Sequence, residues 1–276
     1  MRLKEIYSQN TQISFEIFPV EDKKRLLSEL DILKQYSPAF ISLTCGAGGS
    51  ENASFELIDS IISKKINVMP HLTCITSSKK NIKEKLLKIT KKGTENILAL
   101  RGDIPEDYDI NSGDFKYANE LVEFIKSETA LSIGVAGYPE GHIESPDINT
   151  DMKFLKNKIN FGAEVIFTQL FFDNTKFYDF VERAKKCSIS VPIIPGIMPI
   201  TSKKQIDKMT KLAKITIPKN LRDAIEKYDE KSLTEYGIDY SSKQCEELLK
   251  FGVSGLHFFT LNKSYSTSKI LDNIRR

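Results

Sequence analysis

The sequence predicts an α/β fold, a single (β/α)8 TIM barrel, and two observations carry this prediction. Eight short apolar runs rich in β-branched residues recur along the 276 residues, and polar segments with helical periodicity separate them. Strand and helix in alternation predict a parallel sheet, and eight such units can close on themselves. The length also suits one barrel of this kind, which typically needs about 250 residues.

The eight predicted strands are spread over the whole chain. In order they are Ile13–Phe18, Phe40–Cys45, Asn67–Cys74, Asn96–Leu100, Leu131–Ala136, Val165–Phe172, Val191–Ile197 and Gly255–Leu261.

The segments between the strands have the apolar spacing and the lysine and glutamate content of surface helices. They include Lys23–Gln35, Ser54–Lys65, Ile82–Lys92, Tyr117–Glu128, Met152–Phe161 and Lys176–Lys186, and a short helix, Thr267–Ile274, follows the last strand. Two segments differ: Asp103–Phe115 is acidic and rich in turn residues, and the polar helical stretch Ile217–Ser242 lengthens the seventh crossover. Long connecting segments of this kind are either active-site lids or plain surface loops.

A doubly wound open sheet is the competing topology, because it shows the same alternation of strands and helices. Its usual nucleotide-binding fingerprint, G-x-G-x-x-G after the first strand, is missing. The pattern therefore favours the barrel. We expect residues 1–276 to form one catalytic domain, with no C-terminal regulatory domain.

Composition argues against several classes of protein. The 40 basic and 37 acidic residues are interspersed and give a net charge of +3, unlike the concentrated basic face of a nucleic-acid binder. We see no signal peptide or apolar run long enough to span a membrane, and we expect a cytoplasmic protein. The four cysteines are scattered and the three histidines lack metal-ligand spacing, so we expect no metal site.

Polar residues stand at the carboxyl ends of seven predicted strands, where the βα loops of a barrel gather. They include Glu16, Thr44, His71, Arg101, Asp103, Tyr138, His142, Gln169 and Lys263. Each alone has an ordinary explanation, since a strand glutamate can face solvent and a lone histidine can be a core residue. Because they converge on one rim, the set predicts a ligand site. The glycines Gly46, Gly48 and Gly49 would let backbone N–H groups approach a ligand there.

The strand ends, taken in order, resemble those of the methylenetetrahydrofolate reductase family. The matching stretches are FEIFP (15–19), TCGAGGS (44–50), PHLTC (70–74), ALRGD (99–103), AGYPEGH (136–142), TQLFFD (168–173), IPGIMPI (194–200) and GLHFFTLN (255–262). Any one of them is a weak match, but eight collinear motifs at barrel spacing are specific.

This resemblance implies a flavoprotein oxidoreductase of one-carbon metabolism. NADH or NADPH would reduce bound FAD, and the flavin would then reduce 5,10-methylenetetrahydrofolate to 5-methyltetrahydrofolate for methionine biosynthesis. Both substrates would use one flavin face in turn, which implies ping-pong kinetics. The partners implied are small molecules, in a homo-oligomer that binds neither nucleic acid nor membrane.

The resemblance also implies roles for individual residues. Glu16 matches the general acid, and Asp103 lies near both flavin and pterin, so these two are the catalytic candidates. The FAD-binding positions are Thr44, His71, Arg101, Gly102, Asp103, Ala118, Tyr138, His142, Asp151 and Lys158. Gln169 and Lys263 match folate-binding positions. Arg101 and Lys158 carry positive charge suited to a pyrophosphate.

The sequence departs from the family pattern at a few positions. Ile17 and Val20 are substitutions that we expect to be neutral for packing, and Cys45 replaces a common tyrosine. Lys263 is more consequential, because it replaces an arginine that is usual in the family and helps to bind folate. Lysine keeps the charge but loses the planar fork of donors. Folate binding is therefore the part of the resemblance that Lys263 puts in question.

The apolar neighbours of Glu16 in the sequence, Phe15, Ile17 and Phe18, lead us to expect a raised pKa for this carboxyl. Two other functions fit parts of the pattern. One is a flavin barrel that oxidises a small amine or imino acid, which would not need Gln169 beside an acid at Glu16. The other is a degenerate barrel that serves as a structural subunit, against which the intact Glu16, Asp103 and Gln169 argue.

Overall fold

The computed structural model describes residues 1–45, 51–107, 109–110, 112–213 and 215–275, and its strands form a closed parallel barrel. The strands are β1 Gln12–Ile17, β2 Phe40–Leu43, β3 Val68–Thr73, β4 Asn96–Leu100, β5 Ser132–Gly137, β6 Val165–Leu170, β7 Ile193–Ile197 and β8 Gly255–Phe259. Each predicted strand is present, with ends shifted by at most about two residues, as is usual for boundaries. The predicted (β/α)8 barrel is confirmed.

Closure distinguishes this fold from the open sheet that we considered. β8 pairs with β1 over the registers Gln12↔Gly255 to Glu16↔Phe259. An open sheet would leave the outer strands without this pairing. The doubly wound alternative is therefore wrong.

Helices surround the barrel. They are α1 Leu3–Ile6, α2 Lys23–Lys34, α3 Glu51–Ser63, α4 Lys79–Lys91, α5 Ala118–Glu128, α6 Ile148–Asn160, α7 Asn174–Lys186, α8 Lys203–Ala213, α9 Lys219–Lys227, α10 Glu230–Phe251 and α11 Tyr265–Ile274. The stretch that we expected to be one helical excursion holds two helices. Tyr228 leaves the helical conformation, and the Asp229 carboxylate then accepts the Ser232 N–H to start α10.

Alternation along each strand decides which side chains enter the barrel. In β1, Phe15 and Ile17 point outward and are 0% and 1% exposed, because they pack against the surrounding helices. Successive side chains of a strand point to opposite faces, so Ser14 and Glu16 point inward. Polar side chains of the first strand thus lie inside the barrel.

The short helix α1 covers the amino end of the barrel. Leu3, Ile6 and Tyr7 are buried there against Phe40 and Phe167, and the Leu3 N–H donates to the Asn96 Oδ1 at 2.9 Å. With this end filled, the carboxyl ends of the strands are the face where a ligand can enter.

Candidate functional site

The inner face of β1 brings Glu16 between two histidines from other strands. Glu16 Oε2 lies 3.7 Å from His71 Nε2 on β3 and 3.6 Å from His257 Nε2 on β8. These distances are too long for hydrogen bonds but short enough for strong charge interaction. The carboxyl side chain is 22% exposed, and both imidazoles are buried. The three groups form one partly desolvated cluster.

Two buried serines fix the orientation of these histidines. Ser14 Oγ is 2.8 Å from His257 Nδ1, and Ser42 Oγ is 2.7 Å from His71 Nε2. Ser14 stands two residues before Glu16 on β1, and Ser42 is the register partner of Glu16 on β2. Ser14 and His257 are likewise register partners on β1 and β8, so strand pairing places four of the five side chains of the cluster.

The expected rise of the Glu16 pKa is wrong. Burial acts to raise the pKa of this carboxyl, but the contact with His257 and the charges of His71 and His257 outweigh it, so the pKa is lowered. The error has a geometric cause. Phe15 and Ile17 adjoin Glu16 in sequence but point to the opposite face of the strand, whereas the cross-strand neighbours are polar.

A cavity of about 650 Å³ opens beside this cluster at the carboxyl ends of the strands. Among the predicted site residues, its lining contains Thr44, His71, Arg101, Gly102, Asp103, Tyr138, His142 and Gln169. His71 is 3% exposed, and its Nδ1 is buried without a hydrogen-bond partner. A buried polar atom without a partner in the wall of a cavity suits a ligand that supplies one. Glu16 adjoins the cavity through His71.

Local hydrogen bonds hold Thr44 and Gln169 in the wall of this cavity. The Thr44 hydroxyl donates to the Ile17 carbonyl at 2.9 Å, which ties the end of β2 to β1. The Gln169 Oε1 accepts from the Leu170 N–H at 3.0 Å. The amide nitrogen of Gln169 is the end of the side chain that this bond does not use, and it can donate to a ligand.

The turn after β4 positions Arg101 at the rim. Its guanidinium forms a bidentate ion pair with the Glu144 carboxylate, with N–O distances of 2.5 and 2.7 Å. The next residue, Gly102, has φ of +89°, and a Cβ atom there would lie 3.1 Å from Thr73 Cβ. Only glycine suits both this conformation and this space.

A second, narrower cavity of about 130 Å³ adjoins the first between β4, β5 and the helices that follow them. Its lining contains Ala118, Asp151 and Lys158, and it shares Leu100, Arg101, Tyr138, His142 and Glu144 with the larger cavity. The rings of Tyr117 and Phe154 stack at its edge, with centroids 6.0 Å apart and planes 14° apart. The shared rim holds the cation Arg101 and the aromatic side chain of Tyr138, and two adjoining cavities of this kind suit an extended anionic ligand.

Lys158 is the cation of this second cavity, and its side chain is half-buried. Its Nζ donates to the Ala136 carbonyl at 3.0 Å and lies 5.9 Å from the centre of the Tyr138 ring. Burial lowers its pKa to about 8, against the opposing charge of Asp151. Burial likewise raises the pKa of Asp151, with the charges of Lys158 and His142 opposing it. An anion placed here would restore full charge to the lysine.

His142 and Tyr138 lie against each other where the cavities meet. Their ring centroids are 4.6 Å apart and nearly perpendicular, and His142 Nδ1 accepts the Glu144 N–H at 3.2 Å. Burial lowers the pKa of His142 and raises the pKa of Tyr138 to about 12. Both are therefore uncharged hydrogen-bonding groups near neutral pH.

Lys263 is not brought together with the other predicted residues. It is exposed and lines a separate cavity of about 580 Å³, beside Lys231, Thr260 and Thr267 near the ends of β7 and β8. Lys263 therefore lies in a different cavity from the one that Gln169 lines.

The predicted glycine loop lies outside the described residues, and the described residues bear on metal sites, disulfides and membrane spans as follows. The glycines at 46, 48 and 49 belong to the stretch that the structure does not describe. Within the described ranges, no group of histidine, cysteine or acidic residues could hold a metal ion, and none of the four cysteines there forms a disulfide. Nor does any helix in those ranges have the length and apolarity needed to cross a bilayer.

Sequence reasoning missed three residues that the structure brings into the site: Ser42, Glu144 and His257. Ser42 and His257 occupy inward positions of strands that we had identified, so strand alternation could have found them. Glu144 follows His142 in a loop and shows no periodic pattern. Its pairing with Arg101 is a contact over 43 residues that only the fold reveals.

A family model and two relatives of known name agree on one family. The family model described as methylenetetrahydrofolate reductase matches residues 2–275. Methylenetetrahydrofolate reductase (NADH) 1 of Arabidopsis thaliana is 37% identical over an alignment that covers 99% of this chain and 50% of that protein. The 5,10-methylenetetrahydrofolate reductase of Buchnera aphidicola subsp. Schizaphis graminum is 36% identical, covering 92% of this chain and 88% of that one. The chain thus spans about half the length of the plant relative.

Among solved structures, an uncharacterized protein from Clostridium thermocellum shares the fold. It matches with a TM-score of 0.71 at 15% identity, over 98% of this chain and 96% of that one. That protein is described as binding two copies of 5-methyl-5,6,7,8-tetrahydrofolic acid. At this level of identity the likeness supports the barrel alone.

Proposed function

Because the chain belongs to the methylenetetrahydrofolate reductase family, we propose that it reduces 5,10-methylenetetrahydrofolate to 5-methyltetrahydrofolate, with NADH or NADPH as reductant and FAD as cofactor. The observation that carries the proposal is the cluster of Glu16 with His71 and His257 beside a large cavity. An amine-oxidising barrel has no need of an acid at this place.

The residues present fit a flavin dinucleotide. The larger cavity has a buried unpartnered nitrogen, His71 Nδ1, for a polar ring. The shared rim holds Arg101, and the narrower cavity holds Lys158, so positive charge lies where a pyrophosphate would pass. The Tyr117–Phe154 stack offers an aromatic face at the far edge. Bound FAD would supply the hydride chemistry, and the protein would position the ring.

In this proposal Glu16 provides the proton that the folate reaction consumes. The methylene bridge between N5 and N10 opens when the carbon–N10 bond breaks with its electron pair going to N10. N10 takes a proton at that moment, and the methylene carbon, now doubly bonded to N5, accepts a hydride. Glu16 is the carboxyl at the base of the site, so it is placed to protonate N10.

Three further residues would bind and orient the folate. Gln169 offers its amide to the pterin from the wall of the larger cavity, and Asp103 offers a carboxylate from the exposed turn after β4. Lys263 would meet the glutamate carboxylates in the outer cavity. As a lysine it gives a point charge there, without the bidentate geometry of arginine.

Visible spectroscopy of the purified protein tests the proposal. We expect flavin absorbance that an anaerobic addition of NADH or NADPH bleaches and that methylenetetrahydrofolate then restores. Chromatography of the boiled supernatant should identify FAD. A colourless protein that does not take up FAD, or a reduced flavin that methylenetetrahydrofolate leaves bleached, would contradict it.

A further inference from the structure

A further cavity, of about 560 Å³, is lined by residues of α7, α9 and α10 and by the loops that precede α7 and α9. Most of this lining comes from the lengthened seventh crossover, although a parallel crossover needs only one helix. In the described part of the chain, its lining residues contribute to none of the three cavities described above. Its volume lies in the range of small-molecule sites, about 300–1,000 Å³. The seventh crossover thus builds a cavity that the proposed reaction does not use.

The floor of this cavity, Asn174 and Gln244, is buried and contains one unmet hydrogen bond. Asn174 is 8% exposed, and its Nδ2 donates to the Gln244 carbonyl at 3.2 Å and to Glu247 Oε2 at 2.7 Å. Two acceptors that face this nitrogen fix the orientation of the amide. At its other end, Oδ1 is buried and has no hydrogen-bond partner. A buried acceptor of this kind suits a ligand that donates an N–H or O–H group.

Three half-buried tyrosines, Tyr178, Tyr236 and Tyr240, form the walls of this cavity. The Tyr240 hydroxyl donates to the Phe172 carbonyl at 2.6 Å, which holds its ring in place. The ring centroids of Tyr236 and Tyr240 lie 6.1 Å apart, with planes 36° apart. Aromatic faces attract cations and also cover the methylene groups of an aliphatic chain. The walls therefore favour an organic cation.

Carboxylates outnumber cations around this cavity. Asp173, Asp239 and Glu247 line it, with one lysine, Lys243, among the described residues. Asp239, Glu247 and Lys243 are exposed, so they form the rim of the cavity, whereas Asn174 is buried at its floor. The rim thus adds an excess of negative charge to the aromatic walls.

From the floor, the walls and the rim together, we propose that this cavity binds an aliphatic diamine as a dication. One ammonium donates to Asn174 Oδ1, and the methylene chain lies along the tyrosine rings. The second ammonium meets the carboxylates of Asp239 and Glu247. No covalent bond forms or breaks, and the site is separate from the candidate flavin cavities. The inference therefore does not rest on the proposed function.

Isothermal titration calorimetry with cadaverine, a five-carbon diamine, is the first test. The sample is the purified protein with any flavin that it carries. We expect saturable binding of a single cadaverine molecule, weakened by added salt because the rim carboxylates are exposed. Pentanediol has the same carbon chain without charge and should not bind at the same concentration. The proposal is wrong if cadaverine shows no saturable binding at millimolar concentration, or if it binds no more tightly than the diol.

Variants of the lining distinguish this site from a general attraction of amines to acidic surface. Glu247→Gln removes a rim charge, yet the new amide oxygen can still accept the Asn174 N–H. It should weaken cadaverine binding by up to about fivefold. Tyr236→Leu removes an aromatic face and should weaken binding by about two- to fivefold.

The matched control is Glu246→Gln, which changes the neighbouring carboxylate of α10, outside the cavity lining. It should bind cadaverine as the wild-type protein does. Equal affinities in Glu247→Gln and Glu246→Gln would contradict the proposal, and so would an unchanged affinity in Tyr236→Leu.

The role of Asn174 is tested from the ligand side, because a substitution there would also remove its bonds to α10. The analogue of cadaverine with both nitrogens trimethylated keeps the two charges but has no N–H to donate. We expect it to bind about tenfold or more weakly than cadaverine, since hydrogen bonds that involve a charged group are the strong ones. An equal affinity would show that Oδ1 does not meet the ligand and would overturn the proposed arrangement.

Discussion

Both carboxylate oxygens of Glu144 bind the guanidinium of Arg101, at 2.5 and 2.7 Å, where the two candidate cofactor cavities meet. An anionic cofactor that spans the cavities would compete with Glu144 for this cation. The carboxylate therefore holds the place that a phosphate would take.

Glu144→Gln should tighten binding of FAD to the flavin-free protein. The pair is partly exposed, with Glu144 at 48%, so its loss is worth about 0.2–1 kcal/mol, or up to about fivefold in affinity. Riboflavin, which lacks phosphates, should bind equally to both proteins. Quenching of flavin fluorescence measures each affinity. Glu140→Gln is the control, since this carboxylate of the same loop binds Thr216 instead. Weaker FAD binding in Glu144→Gln would show that the ion pair holds Arg101 in position for the cofactor and does not compete with it.

Glu16→Gln should slow folate reduction and spare flavin reduction. Glutamine keeps the size of the side chain but has no transferable proton, and general-acid contributions are about 10²–10⁴-fold. Stopped-flow absorbance follows the two half-reactions separately. If both slow together, Glu16 supports the flavin or the fold instead. If reoxidation stays near the wild-type rate, another group is the acid.

Binding of FAD to the flavin-free protein should weaken as the pH rises through about 8. Burial lowers the pKa of Lys158 to about 8, so its positive charge is present below that pH and is lost above it. The affinity should fall by at most about tenfold per pH unit there. Lys158→Arg stays charged and should flatten the dependence. Lys156→Arg, on the same helix but bonded to the Ser188 carbonyl, is the control. A Lys158→Arg profile identical to wild type would exclude Lys158 as the titrating group.

Gly102→Ala should destabilise the protein more than Gly93→Ala does. Both glycines have positive φ, +89° and +76°, so each substitution carries a conformational cost of about 1–2 kcal/mol. At Gly93 an added Cβ meets no described atom within 4 Å, whereas at Gly102 it would lie 3.1 Å from Thr73 Cβ. Crowding of this kind adds about 1–3 kcal/mol. Urea denaturation of the two variants measures the difference, and equal losses would mean that the Thr73 side chain yields freely.

The alternation of strands with helices made the barrel predictable. Each apolar run is recognisable within a few residues, and eight such runs support the same interpretation. The small helix α1 was not predicted, since one turn carries no periodic signal. Its role in filling the amino end depends on Leu3 meeting strands that lie far along the chain. Local patterns therefore predicted the strands, but not the helix that covers the amino end of the barrel.

Prediction of the site had a similar limit. Polar residues at strand ends could be picked out one by one, and the barrel then explains why Arg101, Tyr138 and His142 share a rim. The electrostatics of Glu16 could not be read in the same way. Its sequence neighbours are apolar, but the groups that set its pKa lie on other strands.

The pairing of β1 with β8 has a consequence for how the protein folds during its synthesis. Ser14 and His257 are 243 residues apart, and Asn262 binds the backbone of Phe18 across 244. The ribosome must therefore synthesise the chain through β8 before β1 can meet this partner. Until then the nascent polypeptide exposes the unpaired edges of β1 and β7, which are places for aggregation or chaperone binding. A chain that ends before β8 could neither close the barrel nor place His257 beside Glu16.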